Sequence, residues 1–211
     1  MIYASSSAVY GQAGGAAALD ETLAVAPTSN YGTAKRFGEL YLAAQHTEHG
    51  LQSVALRIFN IFGPRQDRRL VIPRFVKDAL DKSPIEIYGD GEQTRDFVYV
   101  ADVVAAALAL ASSALGCEIV NACSGRETSI RGLAEAVLRL SGSSAPVVAR
   151  PMPGNRTVFE IERCYGSRAK LQRLAGAVPI TSLEDGLNKT IASIRALAVS
   201  LPAELRHGGC A

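Results

Sequence analysis

Residues 30–58 read NYGTAKRFGELYLAAQHTEHGLQSVALRI, and this stretch decides the fold. Tyr31, Lys35 and Glu39 are spaced by helical turns, which predicts a helix over the first twenty of these residues. Residues 53–58 then form a short apolar run, which predicts a buried strand. A helix that leads directly into a buried strand is typical of an α/β protein with crossover helices.

The same alternation continues on both sides of this stretch. Residues 1–5 predict the end of a strand, and from Gly63 the composition shifts to Pro, Arg and Asp, which we interpret as the crossing into a second lobe. Further strands are predicted at 85–88, 97–100 and 118–121, and helices at 71–80, 103–114, 129–140, 167–174 and 183–198, with Asp102 and Ser129 as N-caps.

Composition and charge limit the class of protein. With 211 residues and 48% hydrophobic content, the chain is long and apolar enough to bury a core. The net charge is only +2, so we expect neither nucleic acid nor a membrane surface as a partner.

The longest apolar run, 103–111, is far shorter than the roughly 20 residues of a membrane-spanning helix, and residues 1–7 do not resemble a signal peptide. We therefore expect a cytoplasmic protein. The cysteines and histidines lack metal-ligand spacing, so no metal site is predicted.

Two short motifs suggest proton transfer. Tyr31 and Lys35 project from one face of the first predicted helix, and a lysine cation beside a phenol favours the phenolate that a general base for a sugar hydroxyl requires. Upstream, Ser5, Ser6 and Ser7 end the first predicted strand, where α/β sheets keep their sites. A serine hydroxyl there can hydrogen-bond the reacting oxygen.

Four motifs occur in an order that resembles extended short-chain dehydrogenases/reductases acting on nucleotide sugars. They are SSAVYG at 6–11, YGTAK at 31–35, LRIFNIFGPRQ at 56–66 and IYGDGEQTRDFVYV at 87–100. The nearest resemblance is to the UDP-glucose 4-epimerase type of the NAD-dependent epimerase/dehydratase family. It implies a partial Rossmann-like parallel sheet with a smaller C-terminal α/β substrate-binding lobe.

The resemblance divides the chain into two parts. Residues 1–63 are expected to be the C-terminal remainder of the NAD-binding Rossmann domain. Residues 64–211 are expected to be mainly the substrate-binding lobe, with some strands and helices returning to the sheet. Neither G-x-G-x-x-G nor G-x-x-G-x-x-G occurs in the sequence, so we expect the first strands and the Gly-rich turn of the domain to be missing.

The resemblance also implies site residues. Three are catalytic: Ser6 as the hydroxyl donor, Tyr31 as the base and Lys35 as the contact to the nicotinamide ribose. The residues expected to bind NAD are Ser5, Tyr31, Lys35, Phe59 and Ile61. Those expected to bind the nucleotide sugar are Ser6, Asn60, Val71, Ile72, Pro73, Tyr88, Arg95 and Arg150.

Some of these assignments have alternatives in the sequence. Arg95 is expected to hold phosphate oxygens with its forked guanidinium, but it could instead pair with a nearby aspartate. Asn60 could cap a turn, and Tyr88 could belong to the core only. Residues 150–156 read RPMPGNR, with Asn155 where the family has an aspartate, so Arg150 and Arg156 both stay candidates for the phosphates.

The implied reaction is NAD-dependent epimerisation at C4 of a nucleotide sugar, of the UDP-glucose/UDP-galactose type, through a 4-keto sugar. The family's dehydratases place an Asp-Glu pair, and its decarboxylases a glutamate, directly after the catalytic Ser or Thr, where this chain has Ser7 and Ala8. Two alternatives remain: an inactive fragment or pseudoenzyme that only binds nucleotide sugar, and a nucleotide-sugar dehydratase or reductase. The resemblance further implies a homodimer formed through the helix that carries Tyr31 and its neighbour.

Overall fold

The computed structural model describes residues 1–12, 17–113, 115–152 and 161–200. The helices are α1 (Asn30–His49), α2 (Val71–Leu80), α3 (Val100–Ala111), α4 (Ile130–Ser141), α5 (Ala169–Ala175) and α6 (Leu183–Ser200). The strands are β1 (Ile2–Ser6), β2 (Ser53–Ile58), β3 (Asn60–Phe62), β4 (Ile85–Tyr88), β5 (Thr94–Arg95), β6 (Phe97–Tyr99), β7 (Cys117–Ala122), β8 (Thr128–Ser129), β9 (Val147–Arg150) and β10 (Arg163–Cys164). A short 3₁₀ turn, Ser7–Tyr10, follows β1.

A parallel sheet of order β1-β2-β7 forms the first half of the fold. Alternate residues of its central strand face opposite sides. Val54 and Leu56 pack with Val103 and Leu110 of α3 in one apolar core. Arg57 points to the other side, where it meets α1. The α/β class predicted from the sequence is therefore confirmed, and the sheet lies between two helical layers.

A second apolar core lies under α2, α4 and α6. Phe75, Leu133 and Leu187 from these three helices are fully buried there, together with Ile85 and Ile87 of β4. The α2 and α4 helices each present one apolar face to this core, as expected of amphipathic surface helices. The expected boundary between residues 63 and 64 stays a prediction, because it separates an NAD-binding part from a substrate-binding part.

Residues 59–116 are inserted between two neighbouring strands of the sheet, and α2 and β4 of this insertion pack in the second core with α4 and α6, which follow β7. β2 and β7 pair directly, with Arg57 opposite Asn121, although 58 residues separate their ends in sequence. Buried Asp96 holds the returning chain, since its carboxylate accepts hydrogen bonds from the backbone N–H groups of Ser124, Gly125 and Gly166. The sheet thereby fixes both ends of the insertion.

One predicted helix start is wrong. Asp102 does not cap the third helix, which begins at Val100 and ends at Ala111. The Asp102 carboxylate instead accepts hydrogen bonds from the backbone N–H and hydroxyl of Thr181, at 2.7 and 2.8 Å. The N-cap predicted at Ser129 is confirmed, because its Oγ accepts from the N–H of Gly132.

The described part of the chain has neither a membrane-spanning helix nor a cluster of metal ligands. No helix there is both long and apolar enough to cross a membrane. Across residues 1–12, 17–113, 115–152 and 161–200, no group of three or more His, Cys, Asp or Glu side chains could hold a metal ion.

Candidate active site

Ser6 lies where the first strand of the sheet ends and the 3₁₀ turn begins. It is the N-cap of that turn, and its Oγ accepts a hydrogen bond from the N–H of Ala8 at 3.2 Å. Gly11 ends the turn with φ +63°, and a Cβ there would stand 1.9 Å from the carbonyl oxygen of Ala26. A glycine is therefore required at this close approach.

The N-terminus of α1 packs directly onto this turn. Ser29 caps the helix by accepting the N–H of Gly32 at 3.1 Å. A Cβ on Gly32 would lie only 2.5 Å from the carbonyl oxygen of Ala8, so the absence of a side chain lets helix and turn touch. Tyr31, the neighbour of Gly32, is thereby held at the end of the sheet, with 58% of its surface exposed.

Lys35 ties the same helix to β1 on the other side of Ser6. Its Nζ donates to the carbonyl oxygen of Ala4 at 2.8 Å and lies 5.5 Å from the centre of the Tyr31 ring. Gly32 thus contacts Ala8, two residues after Ser6, and Lys35 contacts Ala4, two residues before it. The helix turn that carries Tyr31 and Lys35 therefore packs against the strand end and turn that carry Ser6, and an exposed phenol beside an ammonium is suited to proton transfer.

Beneath this site lies a buried ion pair that the sequence did not predict. The Glu39 carboxylate accepts two hydrogen bonds from Arg57, both at 2.9 Å, one from Ser5 at 2.6 Å and one from Arg36 at 3.0 Å. Burial raises the pKa of Glu39, but the hydrogen bonds from Arg57 and Ser5 outweigh it and leave that pKa below its ordinary value. The signal in the sequence was an arginine near the end of an apolar strand.

The residues predicted to bind NAD differ in accessibility. Ser5 is buried and its hydroxyl already donates to Glu39, so that hydroxyl is engaged within the protein. Phe59 is buried in a small core beside Tyr10. Ile61 and Tyr31 are exposed.

Asn60 and Arg95 are brought to the same region by β3 and β5. Asp96 directly follows Arg95 in the sequence. Its carbonyl oxygen accepts hydrogen bonds from the backbone N–H of Asn60 at 3.0 Å and from Nδ2 of the same residue at 3.3 Å. Arg95 Nη1 donates to the carbonyl oxygens of Thr94 and Ile161. The Asp96 carboxylate accepts from the backbone N–H groups of Ser124, Gly125 and Gly166.

The remaining predicted substrate residues lie on α2, β4 and β9. Ile72 and Pro73 are buried, and Ile72 belongs to the second core with 1% exposure, whereas Val71 at the start of α2 is half-buried. Tyr88 pairs with Arg150 across β4 and β9. Arg150 is exposed and donates twice to one carboxylate oxygen of Glu86. The alternative phosphate ligand, Arg156, and Asn155 lie outside the described residues.

Comparison with known proteins identifies the family. The family model described as the NAD dependent epimerase/dehydratase family matches residues 1–123. The chain belongs to this family. A UDP-N-acetyl-alpha-D-glucosaminuronate decarboxylase from Bacillus cytotoxicus is 34% identical over 203 residues, which cover 90% of this chain and 62% of that protein.

Two solved structures share the fold. The UDP-glucose 4-epimerase of Thermotoga maritima with UDP-glucose superposes with a TM-score of 0.86 at 32% identity, covering 93% of this chain and 63% of that one. The UDP-glucuronic acid 4-epimerase of Bacillus cereus, in complex with UDP-glucuronic acid and NAD, gives 0.83 at 31% identity, covering 93% and 61%. These neighbours confirm the Rossmann-like α/β fold. The chain spans about 60% of the length of the curated relatives it matches.

Proposed function

We propose that the protein catalyses NAD-dependent epimerisation at C4 of a nucleotide sugar, of the UDP-glucose/UDP-galactose type, by transient oxidation to the 4-keto sugar. One observation supports this most strongly: Lys35 and Gly32 on α1 contact Ala4 and Ala8, which lie two residues before and two residues after Ser6, so that Tyr31 and Lys35 are held at the end of the sheet that bears Ser6. Relatives and neighbours named as UDP-sugar 4-epimerases support the same reaction.

Each of the three residues has a role in this proposal. Tyr31 accepts the proton of the C4 hydroxyl through its phenolic oxygen, and the Lys35 ammonium lies 5.5 Å from the centre of its ring. Ser6 donates a hydrogen bond to the same sugar oxygen. Its Oγ lies at the start of the turn and accepts a hydrogen bond from the N–H of Ala8, so its own hydrogen stays available for donation. NAD, when bound, supplies the hydride acceptor and donor for C4.

The donor set fits the nicotinamide ribose end of NAD. Lys35 uses one ammonium hydrogen on Ala4, which leaves two donors for ribose hydroxyls. The pyrophosphate of NAD is normally held by a Gly-rich turn at a helix N-terminus, and that motif does not occur in these 211 residues. We therefore expect weak binding of NAD by this chain alone.

Epimerisation is preferred over elimination because of the residues that follow Ser6. Ser7 and Ala8 provide no carboxylate in the 3₁₀ turn, so no acid or base is available there for proton transfer at C5 or C6. We assign Asn60 and Arg95 to the phosphates of the substrate, since both lie beside Asp96 at the same edge of the fold. Cytoplasmic location stays a prediction.

A pair of tyrosine variants tests the reaction. Tyr31→Phe removes only the proposed base, and Tyr41→Phe is its matched control, because Tyr41 is an equally exposed tyrosine on the same helix. Calorimetric titration with NAD and then UDP-glucose is followed by an assay for UDP-galactose. We expect Tyr31→Phe to abolish turnover while UDP-glucose still binds, and Tyr41→Phe to retain it.

Other results of this experiment would contradict the proposal. Binding of UDP-glucose without turnover in the parent chain, with NAD in excess, would favour a protein that only binds nucleotide sugar. A 4-keto-6-deoxy sugar as product would indicate a dehydratase. Equal turnover in the parent chain and Tyr31→Phe would remove Tyr31 from the mechanism.

We also propose a homodimer formed through α1. Phe37 and Tyr41 stack on each other on its outer side, with 69% and 55% of their surfaces exposed, and Leu40 lies beside them. Exposed apolar residues at this spacing form the seam of paired helices. Sedimentation of the chain should show a dimer that Phe37→Glu dissociates. A monomeric parent chain at tens of micromolar would contradict it.

A further inference from the structure

A buried polar chain begins directly below the proposed catalytic residues. Tyr31, Lys35 and Glu39 follow one another at steps of four on α1, so they share one face of the helix. Tyr31 is exposed, Lys35 is half-buried and Glu39 is buried at 3% exposure. This face of α1 therefore runs from the reacting surface into the interior.

Glu39 joins the three elements that build the site. It lies on α1, it accepts from Ser5, the neighbour of Ser6 on β1, and it accepts twice from Arg57 on β2. Ser5 and Arg57 are also direct partners in the parallel register of β1 and β2. The carboxylate thus fixes the distance between the helix that bears Tyr31 and the strand end that bears Ser6.

Arg57 extends the polar chain to the far end of the 3₁₀ turn. Its guanidinium carbon lies 4.7 Å from the centre of the Tyr10 ring, a distance typical of a cation–π contact. Tyr10 is fully buried, and its hydroxyl donates to Oδ1 of Asn121 on β7 at 2.8 Å. Ser5, before the turn, is therefore held by Glu39, and Tyr10, at the end of the turn, contacts Arg57, which is the ion-pair partner of that carboxylate.

Stability alone is a poor explanation for this arrangement. A buried ion pair is commonly no more stabilising than apolar side chains of similar volume, because both charges lose their hydration. Among the described residues, Arg57 Nη1 is also buried without a hydrogen-bond partner, which lowers the net gain further. The directional bonds instead restrict the orientation of α1 against β1.

We propose that Glu39 and Arg57 are positioning residues that hold Tyr31 and Lys35 at the correct distance from Ser6, acting through Ser5 and the turn. This inference rests on the proposed function, since it concerns the geometry of that reaction. Neither residue touches the sugar, because both are buried.

The sharpest perturbation is Ser5→Ala, which removes the one bond between Glu39 and β1 without changing any charge. Ser53→Ala is the matched control: Ser53 is equally buried in the same sheet, but it lies at the start of β2, where its hydroxyl contacts Cys117. Two quantities are measured in each variant. They are kcat and KM for the nucleotide sugar with NAD, and the ¹³Cζ resonance of Tyr31 in tyrosine-labelled protein, assigned with Tyr31→Phe.

We expect Ser5→Ala to lower kcat about tenfold with KM within about twofold, because misplacement of a reacting group by a fraction of an ångström acts on the chemical step. The Tyr31 resonance should shift in Ser5→Ala and stay unchanged in Ser53→Ala. An unchanged resonance in Ser5→Ala, or equal effects of the two variants, would overturn the inference. If the parent shows no turnover but only Ser5→Ala shifts the resonance, the positioning role stands and the proposed reaction fails.

Discussion

Replacing Gly32 by alanine should push the start of α1 away from the 3₁₀ turn. The added Cβ would lie 2.5 Å from the carbonyl oxygen of Ala8 and 3.1 Å from Cβ of Pro27. Ordinary contact begins near 3.4 Å, so the helix must move by about 0.9 Å at a place where the obstacle is backbone. Tyr31, the adjacent residue, moves with it.

The size of the effect follows from two opposing contributions. Overpacking costs about 1–3 kcal/mol, and alanine regains about 1 kcal/mol of helix propensity over glycine, which leaves a net loss of about 0–2 kcal/mol. A shift of nearly 1 Å at a reacting group lowers kcat by about 10–100-fold. Urea unfolding followed by circular dichroism measures the first quantity, and the epimerase assay measures the second.

Gly132 provides the control for this substitution. It occupies the same position in α4, and its N–H likewise donates to the N-cap Ser129, but a Cβ there would meet only the Ser129 hydroxyl, at 3.1 Å. Gly132→Ala should leave kcat unchanged and stability equal or up to about 1 kcal/mol higher. If Gly32→Ala and Gly132→Ala have the same stability and turnover, the close approach of α1 to the turn does not position Tyr31.

Three further predictions concern stability and are checked by urea unfolding. Glu39→Gln should lower the free energy of unfolding by about 3 kcal/mol at pH 7. Because the pKa of Glu39 in the folded protein is lowered from 4.5, the difference in stability between the parent chain and Glu39→Gln should shrink as the pH falls below that value. A difference that does not depend on pH would contradict this. Phe75→Ala should cost about 3–5 kcal/mol because Phe75 is fully buried, whereas exposed Leu70→Ala should stay within about 0.5 kcal/mol; similar losses would place the core elsewhere. Thr181→Val leaves one Asp102 oxygen without its donor and should cost about 1–2 kcal/mol, and no loss would mean that water replaces the hydroxyl.

The elements with strong periodicity were predictable from sequence alone. The helix at residues 30–49 and the strand at 53–58 coincide with α1 and β2. The strand is a short apolar run, and the helix was predicted from the spacing of Tyr31, Lys35, Glu39 and Leu42 by helical turns. The start of α3 was predicted wrongly, because an aspartate before an apolar run resembles an N-cap, and only the folded chain shows that Thr181 claims its carboxylate.

The arrangement of the site was only partly predictable. The spacing of Tyr31 and Lys35 on one helix indicated their proximity, but their distance from Ser6 depends on how α1 packs against the turn, which no local pattern encodes. The Glu39–Arg57 pair depends on the crossing of a helix over a strand, and the burial of Ser5 and Ile72 depends on which side of each element faces inward.

The insertion of residues 59–116 between β2 and β7 has a consequence for the order of folding during synthesis. At about 5–20 residues per second, Cys117 leaves the ribosome about 3–12 s after Ile58, because 58 residues lie between them. During that interval the apolar central strand has β1 on one side and an open edge on the other. Open edges of apolar strands recruit other chains. A nascent chain stalled between these two residues should therefore be a good substrate for chaperones that bind extended apolar segments. A chain released after Ser200, in which β7 covers the open edge and Leu133 and Leu187 cover Phe75, should be a poor one.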